Sequence, residues 1–304
     1  MKAIPSITLS APTETTAGVD GGTMDLTQFN ALLDDPAAWS ELGTYSLQLQ
    51  LALNRLGQPP ETLQGWASKI AALDLPMAFQ ASPISQGFVS GAHSAEATQE
   101  LLNRWHKAGG ETAAIAIDDP FAMAPNANLT PSETVAALTT FICAIQQNNP
   151  GIAVICCGTY PGGKMDANAA YNISNIDALQ ASLKAAGSPG IDYWRMDIVS
   201  NNIGEGRKGS WPELKSIQDH CGKIGIGFSL IYDAEGALKA VQKEGLSGPG
   251  CGDSIMAAYM ESEAQNYREA GGHPDNACFQ SWLGTEDFSL AGWLSAVLEI
   301  AQEF

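Results

Sequence analysis

One unit recurs along this chain: an amphipathic helix that stops at Gly, Asn or Pro, a short apolar run, and polar residues where the run ends. Strands that alternate with helices of this size build βαβ units and hence a parallel sheet. The runs fall at residues 17–20, 44–53, 76–82, 112–118, 152–157, 191–198, 224–232 and 277–283. They predict an α/β chain folded as one (β/α)8 barrel across residues 1–304, with an irregular segment at 1–16. A length of 304 residues suits a barrel of about 250 with added loops. A doubly wound sheet would alternate in the same way, but neither GxGxxG nor GxxxxGK[ST] follows the first run.

Local signals support this punctuation. In the second run Leu47, Leu49, Leu51 and Leu53 share one face, and Ser46, Gln48 and Gln50 share the other. Leu63, Trp66, Ala67, Ile70 and Leu73 recur at helical spacing after Pro60. A helix over 95–107 stops at Gly109-Gly110. Thr130, Pro131 and Glu133 form a capping-box pattern, and Trp211-Pro212-Glu213 opens another helix. Residues 233–272 hold two helical stretches, and 288–302 the last helix.

Composition removes several partners. There are 15 Lys+Arg against 33 Asp+Glu, a formal charge of −18, and no basic cluster, so nothing neutralises a row of phosphates and nucleic acid is excluded. No apolar run approaches the roughly 20 residues that cross a bilayer. The first residues lack an apolar signal core, which predicts either a mature secreted or periplasmic chain or a cytoplasmic one. The acidic surface and low Lys content fit export or a salty habitat. Cys156 and Cys157 lie in an apolar run and read as buried thiols, whereas Cys251 and Cys278 are expected to pair if the protein is exported.

In such barrels the chemistry sits at the carboxyl ends of the strands. Those ends carry Asp20, Asn54, Gln80 with Ser82, Asp118-Asp119, Thr159-Tyr160, Asp197, Tyr232-Asp233, and Gln280 with Trp282. Any one Asp is a common loop or N-cap residue. Carboxylates at four matching places predict an acidic cleft. Alternation along the sixth strand turns Tyr193, Arg195 and Asp197 to the lumen, and Trp194, Met196 and Ile198 to the helices. An Arg inside a barrel needs partners, for which Asp118, Asp119 and Asp233 are expected, either in a purely structural ion pair or in a working site.

Other chemistries lack their residues. His93, His106, His220 and His273 fall in helices or loops, away from the strand ends that a metal-dependent amidohydrolase would use. No Lys lies on a predicted strand for Schiff-base chemistry. There is no GxSxG elbow, and Gly248-Pro249-Gly250-Cys251-Gly252 is only a weak phosphate loop. Glu261 and Glu263, in a helix after the seventh strand, are expected to be solvated, with a fold of that long excursion over the cleft as the alternative. Asn128-Leu129-Thr130 and Asn172-Ile173-Ser174 match the N-glycosylation pattern.

Acids, amides and aromatics in one cleft suit sugars, and glycosidic cleavage uses two carboxyls. On Ile115-Ala116-Ile117-Asp118-Asp119-Pro120, Tyr193-Trp194-Arg195-Met196-Asp197, Tyr232-Asp233 and Gln280-Ser281-Trp282, the chain resembles the TIM-barrel glycoside hydrolases. The resemblance implies a glycosidase that needs neither metal nor cofactor and acts on an oligo- or polysaccharide. Its α-galactosidase-like clan would select Asp119 with Asp197. The clan with catalytic glutamates would select Asp118 or Asp119 with Asp233, and matches Trp282, although this chain has Asp in place of Glu. The candidate catalytic residues are therefore Asp119, Asp197 and Asp233. Asp20, Gln48, Gln80, Asp118, Tyr160, Tyr193, Arg195, Tyr232, Gln280 and Trp282 are the candidates for substrate binding. Two other readings stay open: a saccharide-binding barrel without activity, and a Mg2+-dependent lyase or isomerase with Asp119, Asp197 and Asp233 as ligands.

Overall fold

The computed structural model describes residues 5–10, 27–44, 47–162, 167–234, 236–280 and 287–302. Strand β1 (Ile7–Ser10) precedes helix α1 (Thr27–Asp34) and a 3-10 segment (Pro36–Thr44). Then come β2 (Leu47–Ala52), a 3-10 turn (Leu53–Gly57), α2 (Pro60–Ala72), β3 (Met77–Ala81) and α3 (Gly91–Lys107). Next are β4 (Ala114–Ile117), the short α4 (Pro120–Met123), α5 (Pro131–Asn148), β5 (Ala153–Tyr160) and α6 (Ala169–Ala185). The chain continues through β6 (Tyr193–Ile198), α7 (Trp211–Ile224) and β7 (Gly227–Tyr232). It ends with α8 (Ala237–Glu244), α9 (Asp253–Glu269), β8 (Asn276–Phe279) and α10 (Leu290–Ala301). The strands close in sequence order, all parallel, with β8 pairing back onto β1. This is a (β/α)8 barrel.

The first strand departs from expectation. It is Ile7–Ser10, inside the stretch expected to be irregular, whereas 17–20 lies outside the described residues. Ile-Thr-Leu-Ser alternates with so few residues that its period is weak, and only pairing with β2 and β8 makes it a strand. The helix starts follow local chemistry. Thr130 and Ser210 each cap the third residue of α5 and α7, and Glu133 and Glu213 return the bond, as full capping boxes.

Leu47, Leu49 and Leu51 pack toward the helices, as do Trp194, Met196 and Ile198. The lumen is divided. On the β3–β6 side its floor is apolar, with the small Ala78, Ala114, Ala116 and Ala153 making room for Ile155 and Tyr193. Gly227 completes that fit, because a Cβ there would stand 2.2 Å from the Tyr193 ring. Opposite, Thr8, Gln48, Gln50, Ser229 and Asn276 are buried and polar. Among the described residues no helix is long and apolar enough to cross a membrane.

Candidate active site

Arg195 is fully buried at the centre of the polar half. Its Nε donates to Ser229 Oγ at 2.9 Å, Nη1 to Gln50 Oε1 at 2.5 Å, and Nη2 to Asn276 Oδ1 at 3.3 Å. Asn276 in turn donates to Thr8 Oγ1 and the Pro5 carbonyl. The guanidinium is thus held by neutral dipoles and not by the expected Asp118, Asp119 or Asp233. Those acids sit at the strand ends, above the layer that β2, β7 and β8 present to it. From Gln50 the chain of bonds goes on, since its amide donates to Gln80 Oε1 at 3.2 Å. Gln80 and the Ser82 hydroxyl then bond the Asp118 carboxylate.

Asp118 and Asp119 follow β4 and diverge. Asp118 turns toward β3, and burial raises its pKa while Ser82 and Gln80 partly lower it. Asp119 has φ +31°, a left-handed conformation that Asp tolerates better than most residues, and Pro120 starts a helix directly after it. Its side chain is directed toward β5 and β6, where the Thr159 hydroxyl and the Asp197 carboxyl come within hydrogen-bonding reach. Burial, and then the charge of Asp118, raise the Asp119 pKa to about 7; Thr159 and Asp197 offset this only in part, and Oδ1 stays buried without a partner. Burial and the neighbouring charge thus hold the Asp119 proton toward neutral pH.

A second acid pair lies at the end of β7. Asp233 is buried, and Glu263 of α9 is 3% exposed, not solvated as expected from its polar helix. Neither Glu263 oxygen makes a well-formed hydrogen bond, and burial together with Asp233 raises its pKa well above the usual range. Helical spacing alone does not show that α9 folds back over the strand ends. Glu261 is exposed.

A cavity of about 570 Å3 opens beside these groups, between the ends of β1–β4 and β8 and the first half of α3. Its wall includes Ser10, Arg55, Gln80, Ser82, His93, Asp118 and Gln280. Gln280 Oε1 and both amide atoms of the luminal Gln48 are buried without partners. Among the described residues no group of three or more His, Cys, Asp or Glu is arranged to hold a metal ion.

The aromatic candidates go elsewhere. Tyr160 faces outward and donates to the Ser210 carbonyl, packed against the start of α7. Tyr232 stacks on Phe279 in the layer between sheet and helices, with ring centroids 5.6 Å apart. Tyr193 fills the barrel floor. Each follows from strand alternation, which turns residues 160 and 232 away from the lumen and places 193 too deep. Asp20 and Trp282 lie outside the described residues. Cys251 and Cys278 are free thiols, the latter fully buried near Arg195, so they do not pair. Gly248 and Gly252 instead bind Asp287, through its carboxylate and carbonyl, which leaves no open phosphate loop. Asn172 is buried and donates to the Thr159 carbonyl, and so is no glycosylation acceptor.

Sequence reasoning missed Arg55, one residue past Asn54 at the end of the second strand. With only 15 Lys+Arg in the chain, a cation at a strand end was the available signal.

No protein-family model matches the sequence, and no curated protein sequence matches it. Among solved structures, the chain is similar to the GH53 catalytic domain of Ignisphaera aggregans, with TM-score 0.49 and 12% identity over 83% of this chain and 84% of that one. It is also similar to the mannanase catalytic domain of Streptomyces sp. SirexAA-E, with TM-score 0.45 and 10% identity over 85% and 77%. The deoxyribose phosphate aldolase of Aeropyrum pernix gives TM-score 0.46 and 10% identity over 98% and 89%. Hydrolases and an aldolase thus stand side by side at this level of likeness, and it assigns no activity.

Proposed function

We propose that this barrel is an enzyme that cleaves a glycosidic bond by general acid–base catalysis. One observation carries the reading: Asp119, its pKa raised to about 7 by burial and by the charge of Asp118, adjoins Asp118, which borders the cavity. Two carboxyls pushed apart in this way supply an acid and a base at one pH. Asp119, with Asp197 against it, is the proton donor. Asp118 is the ionised partner that faces the sugar, and Gln80 and Gln280 meet its hydroxyls. Secretion, suited to a polysaccharide substrate, belongs to the same reading.

The test is a panel of oligo- and polysaccharides with reducing-sugar detection, run on the wild type and on D118N, D119N and D197N. The reading predicts turnover that each variant loses while staying folded. An inactive wild type across the panel, or full activity in D119N, would overturn it.

One feature favours a second reading. Glycosidases separate their carboxyls by about 5–5.5 Å or 6.5–9.5 Å, whereas Asp119 and Asp197 stand within hydrogen-bonding reach. Such a pair also suits a lyase or isomerase, in which it relays a proton to and from carbon. Loss of activity on chelation, with restoration by Mg2+, would select the metal-dependent form of that reading.

A further inference from the structure

Arg55 is 2% exposed, and its Nε and Nη2 are buried without hydrogen-bond partners. Among the described residues no carboxylate stands within ion-pair distance of it. A buried guanidinium normally makes ion pairs or hydrogen bonds, because an unpaired charge away from water is strongly unfavourable. Nε and Nη2 are also the two donors on one edge of the guanidinium plane, the edge that grips two oxygens side by side. Arg55 borders the 570 Å3 cavity together with Asp118, and its own helical turn starts where β2 ends.

We propose that Arg55 anchors a carboxylate of the ligand that fills this cavity, so that the ligand is an acidic sugar or another small hydroxylated acid. The charge count favours a carboxylate over phosphate. One guanidinium balances a single negative charge, and Asp118 on the same wall opposes a second. Ser10, Ser82, Gln80 and Gln280 on the same wall are neutral and suit hydroxyls, and His93 stands among them. The inference extends the reading of this cavity as a substrate site, but it concerns binding alone and holds whichever bond is broken.

Calorimetric titration tests it without turnover. The probes are glucuronate, galacturonate, malate, the methyl ester of glucuronate, glucose and inorganic phosphate, against the wild type, R55K, R55Q and R55M. At least one of the three acids should bind saturably at millimolar concentration or below. A bound uronate should lose about tenfold or more in affinity on esterification. R55Q should lose about as much for any bound acid, the scale of one charge-assisted fork, and R55K should recover part of it. A uronate binding where malate does not identifies a sugar acid, and the reverse a small acid. Thermal melting separates a binding role from a structural one, because R55M removes an unpaired buried charge and should melt no lower than the wild type. Binding of none of the acids, binding of phosphate alone, undiminished affinity in R55Q, or a lowered melting temperature in R55M would each overturn the assignment. The glycosidase reading stands or falls separately, on the Asp118 and Asp119 variants.

Discussion

Arg195 reaches Asp118 through two side-chain amides: Gln50 accepts from the guanidinium at 2.5 Å and donates to Gln80 at 3.2 Å, and Gln80 bonds the carboxylate. Each amide is polarised by the bond before it, so a cation at the barrel centre favours an anion at its mouth without touching it.

That relay sets the acidic side of the rate profile. Gln80 lowers the Asp118 pKa, so Q80L should raise it. If Asp118 works ionised, the acid limb of kcat/KM against pH moves upward in Q80L, with the alkaline limb nearly fixed. An unmoved acid limb would separate Asp118 from the catalytic base.

The alkaline limb reports Asp119. As the proton donor it works only while protonated, so activity should fall as pH rises through about 7. The same ionisation bears on stability. A carboxyl whose folded pKa is raised contributes fully below its unfolded value of about 3.9 and loses that contribution as pH rises through the folded one. Melting temperature should therefore decline from pH 4 to 8, and D119N should flatten the decline in that window.

Glu263 predicts a stability effect away from the cavity wall. Its pKa is raised by burial and by Asp233, so the folded protein carries it neutral at pH values where the unfolded chain ionises it. E263Q should match the wild type below about pH 4.3 and exceed it increasingly above that value. Urea unfolding at pH 4 and pH 8 measures the difference, and equal offsets at both would contradict a neutral Glu263.

Gly227 and Tyr193 should couple strongly. The Cβ of G227A would meet the tyrosine ring at 2.2 Å, which predicts a loss of about 1–3 kcal/mol or more. Y193A alone should also destabilise by opening a cavity. The double variant should lose less than the sum of the two, because the smaller side chain removes the clash.

The sequence alone determined the barrel, because each strand and helix carries its own period and its own stops. The capping box at Thr130 and the inward face of β6 could be read from spacing without knowing any contact. The strand-end aspartates were visible for the same reason. Tertiary structure decided what each side chain meets. Closure made a strand of Ile7–Ser10, and the fold of α9 buried Glu263 against Asp233. Strand alternation, once the register was set, withdrew Tyr160 and Tyr232 into the helix layer. Arg195 found amides where carboxylates were expected, and Arg55 was left at a cavity wall with two guanidinium donors buried and unpaired. Periodicity is local and survives in one dimension, whereas burial and pairing depend on residues far apart in the chain that only closure of the sheet brings together.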